Sequence, residues 1–262
     1  MPSKLSTIKN IVKTAAIEEL LPRFTQVTAQ LKADGSIVTE ADLAVQQRLS
    51  SELQLEFPDH VLLSEEMSLA EQKKCLITNS PIWCLDPLDG TSNYAAGIPY
   101  FAVSLSLIHD GQVTMGLVYD PIRDEFFTAT QTESAQLNNT EIKSTPDITD
   151  LNRAIAIVDF KRLDSELSQK IVTHQPFASQ RNYGASALDW CWLAVNRGHV
   201  YLHGKQNIWD YSAGHYIFQK AGGIACTIDG SNVFKPKLES RSIIAAVNKS
   251  LHQQWYDWIK IS

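Results

Sequence analysis

Asp86-Pro87-Leu88-Asp89-Gly90-Thr91 follows directly on the apolar run Ile82-Trp83-Cys84-Leu85. The run reads as a buried strand, and two carboxylates three residues apart stand at its end, across a turn set by Pro87 and Gly90. A strand end of this kind suits a hard cation, which takes oxygen donors. The Gly-Thr pair just after it adds backbone N–H groups that an anion can approach closely. Metal plus phosphate is the chemistry this stretch suggests. Asp-x-x-Asp alone also fits a solvated turn, so the rest of the chain decides.

Three further places set carboxylates beside structural breaks. Glu65-Glu66 follows Val61-Leu62-Leu63, a second strand end. Asp210 stands in Trp209-Asp210-Tyr211-Ser212-Ala213-Gly214, at a predicted helix start, and Asp42 follows Val38-Thr39-Glu40-Ala41. Taken singly, a Glu pair at a strand end is solvated and a first-turn Asp serves a helix cap or dipole. Their order along the chain carries more information than any one of them.

Outward from these sites, the pattern is helical first. Ile8, Ile11, Val12, Ala15 and Ala16 predict an amphipathic helix ending near Pro22. Residues 32–39 read as a loop or hairpin turning at Asp34-Gly35. A second helix is predicted over 40–55, with Val45, Leu49 and Leu53 inward and Pro58 beyond its end. Strands are then expected over 101–108, 113–119 and 125–130, linked by Asp110-Gly111 and Asp120-Pro121, an antiparallel meander. Beyond residue 150 strands (154–158, 199–203, 224–228, 242–247) alternate with helices (185–196, 210–221, and one from Leu251), with Gly222-Gly223 as a helix stop. The expected organisation is an α+β lobe over 1–150 with most of the acidic cluster, packed against an α/β lobe over 151–262 that supplies Asp210.

The chain has 262 residues and a formal net charge of −6. That balance argues against a broad nucleic-acid surface. No apolar run approaches a membrane span. Lys4, Lys9 and Lys13 are spread through a helical pattern with no compact apolar core and cleavage site after them, so no secretory leader is expected. Cys75, Cys84, Cys191 and Cys226 are scattered without a CxxC; the last three lie in apolar contexts and read as buried free thiols, which suits the cytoplasm. None of the seven histidines has a zinc-site spacing.

The succession Val-Thr-x-x-Asp, Glu-Glu, Asp-Pro-Leu-Asp-Gly-Thr-Ser-Asn-Tyr and Trp-Asp-x-x-Ala-Gly resembles the inositol monophosphatase family, Mg²⁺-dependent, lithium-sensitive phosphatases. The resemblance runs over nearly the whole chain, including Ala135-Gln136-Leu137-Asn138 and Ile243-Ile244-Ala245-Ala246. It implies a layered αβαβα sandwich of the inositol monophosphatase and fructose-1,6-bisphosphatase type, commonly a homodimer. It implies two or three Mg²⁺ ions, with Mn²⁺ as a substitute, held by Glu65, Asp86, the Leu88 carbonyl, Asp89 and Asp210. Asp42 and Thr91 would orient and deprotonate the attacking water. Gly90, Thr91, Ser92, Gly184, Ala185, His203 and Asp210 would meet the substrate. The chemistry agrees: paired cations about 3.5–4 Å apart stabilise both the attacking and leaving oxygens of phosphate ester hydrolysis, and acidic ligands without His or Cys fit Mg²⁺.

Two departures fall at the substrate end. Many inositol-specific members carry Glu seven residues before the Asp of Trp-Asp, where this chain has His203. Many also carry a hydroxyl directly after the Gly at position 184, where this chain has Ala185, followed by Ser186. The expected activity is hydrolysis of inositol monophosphate or a similar small polyol phosphate. The alternatives are fructose 1,6-bisphosphate or 3′-phosphoadenosine 5′-phosphate as substrate, against which Thr91-Ser92-Asn93-Tyr94 speaks, or a non-catalytic metal-stabilised binding protein.

Overall fold

Helical spacing of Ile8, Ile11, Val12 and Ala15 gives one apolar stripe, and α1 (Lys4–Ala15) buries it before a single π-helical turn, Ala16–Leu20. The computed structural model describes residues 4–24, 29–31, 37–144 and 146–260. Strands β1 (Ala29–Leu31) and β2 (Ile37–Thr39) pair antiparallel; the turn expected at Asp34-Gly35 lies outside the described residues. Helix α2 (Glu40–Glu56) buries Val45, Leu49 and Leu53, as its period requires.

The first sheet follows: β3 (Val61–Ser64), α3 (Leu69–Cys75), β4 (Ile82–Asp89), α4 (Thr91–Ala95), β5 (Ala102–His109), β6 (Gln112–Asp120), β7 (Glu125–Thr130), β8 (Gln136–Leu137) and β9 (Thr140–Glu141). Its seven strands lie in chain order. Only β3 and β4 are parallel; every later pair is antiparallel. Asp110 and Gly111 both have positive φ, 49° and 71°, the backbone a tight hairpin between twisted strands needs.

The second sheet contains β10 (Ile155–Asp159) and then, after α5 (Ser165–Thr173), β11 (Ser179–Arg181). After α6 (Ser186–Ala194) come β12 (Val200–Gln206), α7 (Ile208–Lys220), β13 (Ile224–Cys226), β14 (Arg241–Ala246) and α8 (Lys249–Lys260). The strand order is β11-β10-β12-β14-β13, with β10, β11 and β12 parallel and β14 antiparallel to both its neighbours.

Period-two alternation sorts the first sheet's side chains onto two faces. Trp83, Leu85, Val103, Leu105 and Leu117 meet α1 and α2. Cys84, Ala102, Val118 and Phe127 join Leu188, Trp190, Ala213 and Ile217 of α6 and α7, and then Leu202 and Ile244 of the second sheet. Beyond that sheet lies α8, whose Trp255 indole N–H donates to the Tyr201 carbonyl at 3.1 Å. The layers are therefore αβαβα, as the resemblance implied.

The structure differs from the sequence reading in several places. The chain does not turn at Pro87, because β4 runs on to Asp89 and turns only at Gly90. Helices α3, α4 and α5 and strands β8, β9 and β11 had no predicted counterpart. All four cysteines are free, but Cys226 is only partly buried while Cys75 is buried. Among the described residues no helix is long and apolar enough to cross a membrane.

Candidate active site

The two carboxylates of the opening motif reach one side of the sheet through a bulge. Asp86 pairs with Ser104 and Asp89 with Ala102, so three steps along β4 face two along β5. Residues three apart on an unbroken strand point to opposite faces, and one extra residue restores a common face. Pro87 sits inside this bulge, where its missing N–H costs no ladder bond.

Neighbouring elements deliver the other acids. The parallel register of β3 and β4 sets Ser64 beside Leu85, and Glu65 follows with its N–H donating to the Leu85 carbonyl at 3.3 Å. Asp210 lies in the first turn of α7, where its Oδ2 accepts the Asn207 N–H at 2.7 Å. Oxygens of Glu65, Asp86 and Asp210 all lie within 4.8 Å of one another. Asp89 stands outside that trio. Its Oδ1 accepts from Ser186 N–H at 3.1 Å and its Oδ2 from Ala187 N–H at 2.6 Å, so it caps α6.

Burial, then the charges of Glu65, Asp89, Asp210 and Asp42, hold the Asp86 carboxyl well above the ordinary range. Asp210 is raised by burial and then by Glu65 and Asp89. Burial pushes Asp89 up to about 7, against the two N–H groups it accepts from. Buried carboxylates that repel one another are costly unless a cation joins them. An all-oxygen donor set on rigid elements suits Mg²⁺, so the residues fit the ion the resemblance implies.

Asp42 and Thr91 meet beside this cluster. Asp42 is 1% exposed, and its Oδ2 accepts from the Thr39 N–H at 2.7 Å and the Thr39 hydroxyl at 2.6 Å. Its Oδ1 lies 3.2 Å from Thr91 Oγ1, which is also 2.9 Å from the Leu88 carbonyl. The one hydroxyl proton is thus offered to two acceptors. Burial raises the Asp42 carboxyl, against the hydrogen bonds from Thr39.

Gly90 has φ +92°, and a Cβ there would meet the Ala185 Cβ and the Tyr100 carbonyl, each at 3.0 Å. The Gly90 corner thereby packs onto Ala185, the buried residue at the start of α6. Gly184 adjoins the Asn93 side chain, which donates to the carbonyls of Tyr100 at 2.8 Å and Tyr183 at 2.7 Å. Ser92 is exposed. His203 is 2% exposed, and both its ring nitrogens meet protein: Nδ1 accepts the Lys205 N–H at 3.2 Å and Nε2 lies 3.1 Å from Asp159.

Sequence reasoning overlooked Asp159 and Arg162, which join His203 in one network, and Asp189, which accepts from the Tyr100 hydroxyl at 3.0 Å. Asp159 ends an apolar strand run, the same signal that found Glu65 and Asp86. Arg162 carries no local signal.

The layered fold gathers acids at the ends of adjacent strands and helices. The inositol monophosphatase family model matches residues 1–259, and the chain belongs to that family. Among curated proteins, Nus factor SuhB of Pasteurella multocida is 32% identical over 221 residues, covering 82% of this chain and 80% of that one. Inositol monophosphatase 1 of Solanum lycopersicum is 32% identical over 238 residues, covering 88% and 85%. Among solved structures, the extragenic suppressor protein suhB from Bartonella henselae superposes with a TM-score of 0.86 at 25% identity, covering 98% of each chain. An IMPase/NADP phosphatase complexed with Mg²⁺ and phosphate superposes with a TM-score of 0.85 at 23% identity, covering 99% of this chain and 97% of that one.

Proposed function

We propose that the protein is a Mg²⁺-dependent phosphomonoesterase acting on inositol monophosphate or a similar small polyol phosphate. The observation that carries this reading is the convergence of the Glu65, Asp86 and Asp210 carboxylates beside the Asp42–Thr91 pair. Glu65, Asp86, the Leu88 carbonyl, Asp89 and Asp210 would hold the ions. Bound Mg²⁺ supplies Lewis-acid stabilisation of phosphoryl charge and makes water more acidic. The chain's own residues do the rest. Thr91 Oγ1 would take a proton from the attacking water and pass its own hydroxyl proton to the Asp42 carboxylate, 3.2 Å away, so that the water becomes hydroxide and Asp42 the neutral acid. Thr39 holds Asp42 from the other side, so the pair cannot swing away. The Gly90–Thr91 corner presents backbone N–H groups to the phosphate. The same reading takes the protein to be a cytoplasmic homodimer, with two or three ions and Mn²⁺ as a substitute, and takes 1–150 and 151–262 as its two lobes.

The test is phosphate release by purified protein from inositol 1-phosphate. Release is expected with Mg²⁺ or Mn²⁺, and millimolar lithium is expected to inhibit it. Full activity after exhaustive chelation overturns the reading. A protein that binds Mg²⁺ but releases no phosphate from any small polyol phosphate is the non-catalytic alternative.

Thr91→Ala separates water activation from metal binding. It is expected to lower kcat by about 10²–10⁴-fold, the usual worth of a proton-transfer group, while Mg²⁺ affinity by calorimetry changes little. A wild-type kcat in this variant would remove Thr91 from the proton path.

A further inference from the structure

Strand β3 is an edge of the first sheet, with β4 on one side and, among the described residues, no strand on the other. Edge carbonyls that lie inside a protein need donors from elsewhere. Helix α3 supplies them. Its two buried residues, Gln72 and Cys75, are three apart and share one face of the helix. The Cys75 thiol donates to the Leu62 carbonyl at 3.1 Å, and Gln72 Nε2 donates to the Ser64 carbonyl at 3.0 Å. Leu62 and Ser64 are two residues apart, the repeat of a strand edge. The helix thus stands where a further strand would. Its first turn is fixed by a capping box, in which Ser68 Oγ accepts the Glu71 N–H at 3.4 Å and Glu71 Oε2 accepts the Ser68 N–H at 2.9 Å.

Gln72 reaches one carbonyl further. Its Nε2 also donates to the Glu65 carbonyl at 3.2 Å. Both partners are carbonyl oxygens, which assigns the amide nitrogen rather than the amide oxygen to this position. A primary amide has two N–H bonds, one for each carbonyl. The consequence falls on Glu65. Strand β3 ends at Ser64, and Glu65 stands in the turn that follows. Its N–H donates to the Leu85 carbonyl at 3.3 Å, which ties it to β4 one residue before Asp86. Its carbonyl is held by Gln72. The Cα that bears the Glu65 side chain is therefore pinned on both flanks. Ser64, just before it, is held from α2, where Gln46 Oε1 accepts its hydroxyl at 2.5 Å.

We infer that Gln72 is a positioning residue for the candidate metal centre: it fixes the backbone of Glu65 so that the Glu65 carboxylate meets those of Asp86 and Asp210. This deepens the phosphatase reading and rests on its metal site. Asp86 lies on a strand and Asp210 on a helix, whose own hydrogen-bond ladders hold them. Glu65 lies on a turn, with a longer side chain whose reach depends on where the backbone aims it. Mg²⁺ demands near-ideal octahedral geometry, and about 1 Å of slack at one ligand is enough to spoil a site. Cys75 braces the same edge, but at Leu62, three residues before Glu65.

The test compares Gln72→Met with Cys75→Ala in the full chain. Methionine keeps the length and helix propensity of glutamine and loses its donor. Mg²⁺ affinity of the chelator-treated protein is read by calorimetry, and stability by Tm in chelator. Both variants should lower Tm, since each leaves an edge carbonyl unpaired. Only Gln72→Met should also weaken Mg²⁺ binding, by about tenfold, the usual worth of a hydrogen bond behind a metal ligand. The Mg²⁺ concentration for half-maximal phosphate release should rise by the same factor, while KM for inositol 1-phosphate at saturating Mg²⁺ stays near the wild-type value. Gln72→Asn, whose shorter amide cannot span both carbonyls, should show a smaller loss of affinity, and it carries the comparison if Gln72→Met does not fold. Wild-type Mg²⁺ affinity in the Gln72 variants, or an equal loss in Cys75→Ala, overturns the role of Gln72 and leaves the phosphatase reading standing. A wild-type protein that binds Mg²⁺ but releases no phosphate removes the phosphatase reading, and the affinities still decide Gln72. A wild-type protein that binds no Mg²⁺ overturns both.

Discussion

Asp86→Asn is expected to lower phosphate release by about 10³-fold or more while leaving the metal-free protein as stable as wild type, or more so. Asp86 is 2% exposed, and the charges of Glu65, Asp89, Asp210 and Asp42 all act against its own. Asparagine keeps an oxygen where Oδ1 accepts the Leu88 N–H at 3.0 Å, so the bulge retains its bond. What disappears is one negative charge at the centre of the cluster. Metal-ion stabilisation of phosphoryl transfer is worth several kcal/mol, and each ~1.4 kcal/mol is a factor of ten in rate. Without metal the same substitution relieves repulsion and spares the burial of a charge. Phosphate release measures the first effect, and melting in chelator measures the second. Turnover within tenfold of wild type would show that Asp86 holds no catalytic cation, and a large loss of metal-free stability would assign it a structural role instead.

The second large effect is a pH dependence that Mg²⁺ reverses. A carboxyl whose pKa is higher in the folded than in the unfolded chain binds more protons when folded, so stability falls as pH rises between the two values. For Asp89 that window runs from 3.8 to about 7. Asp86, Asp189 and Asp210, all held well above the ordinary carboxylate range, and Asp42, raised from it, act in the same direction. Asp159 works the other way: its pKa is lowered on folding, and its contribution is lost only as pH falls below the ordinary carboxylate range. His215, lowered by burial to about 3, opposes this by adding stability as pH rises toward 6.5, so the carboxylates should show as a Tm that, in chelator, falls relative to the Mg²⁺-loaded protein from about pH 4 through pH 7. Saturating Mg²⁺ at about 100 times Kd adds roughly 2.7 kcal/mol per site, and each kcal/mol raises Tm by about 2–4 °C in a chain near this size. The rise should be several degrees, larger at pH 8 than at pH 5 because protons compete for the same oxygens. Sodium at equal ionic strength should not reproduce it. An equal Mg²⁺ shift at both pH values would contradict the repulsive cluster.

Glu65 and Asp86 were legible as candidates because each follows an apolar strand run, and Asp42 and Asp210 because each stands in a helix's first turn. Ile82 to Leu85 and Val61 to Leu63 announce strands, and carboxylates at strand ends stand out against them. The meander was legible through Asp110-Gly111 and the alternation on either side. The bulge was not, because two-versus-three pairing is a property of β4 against β5 and leaves no local mark beyond Pro87. Helix α4 has five residues, too few to show a period. Helix α3 did carry a signal, Ser68 with Glu71 three residues on, whose side chain returns to the Ser68 N–H at 2.9 Å. The substrate end was least legible. Position 203 could be seen to depart from the family pattern, but what His203 touches depends on the register of β10 against β12, between residues 44 apart in the chain.

The capping arrangement of the acids has a consequence in time. Asp42 and Asp210 each accept the N–H of the residue that opens their helix, and Asp89 accepts the first two N–H groups of α6. These bonds form when the helices form. Three of the acids are therefore in position as soon as the chain has folded, before any ion arrives. Little chain entropy is left to lose on capture, and Mg²⁺ releases its own water reluctantly. If Mg²⁺ is the ion, the slow event in loading would be its shedding of hydration water, and the clock of activation would belong to the solvent rather than to the protein.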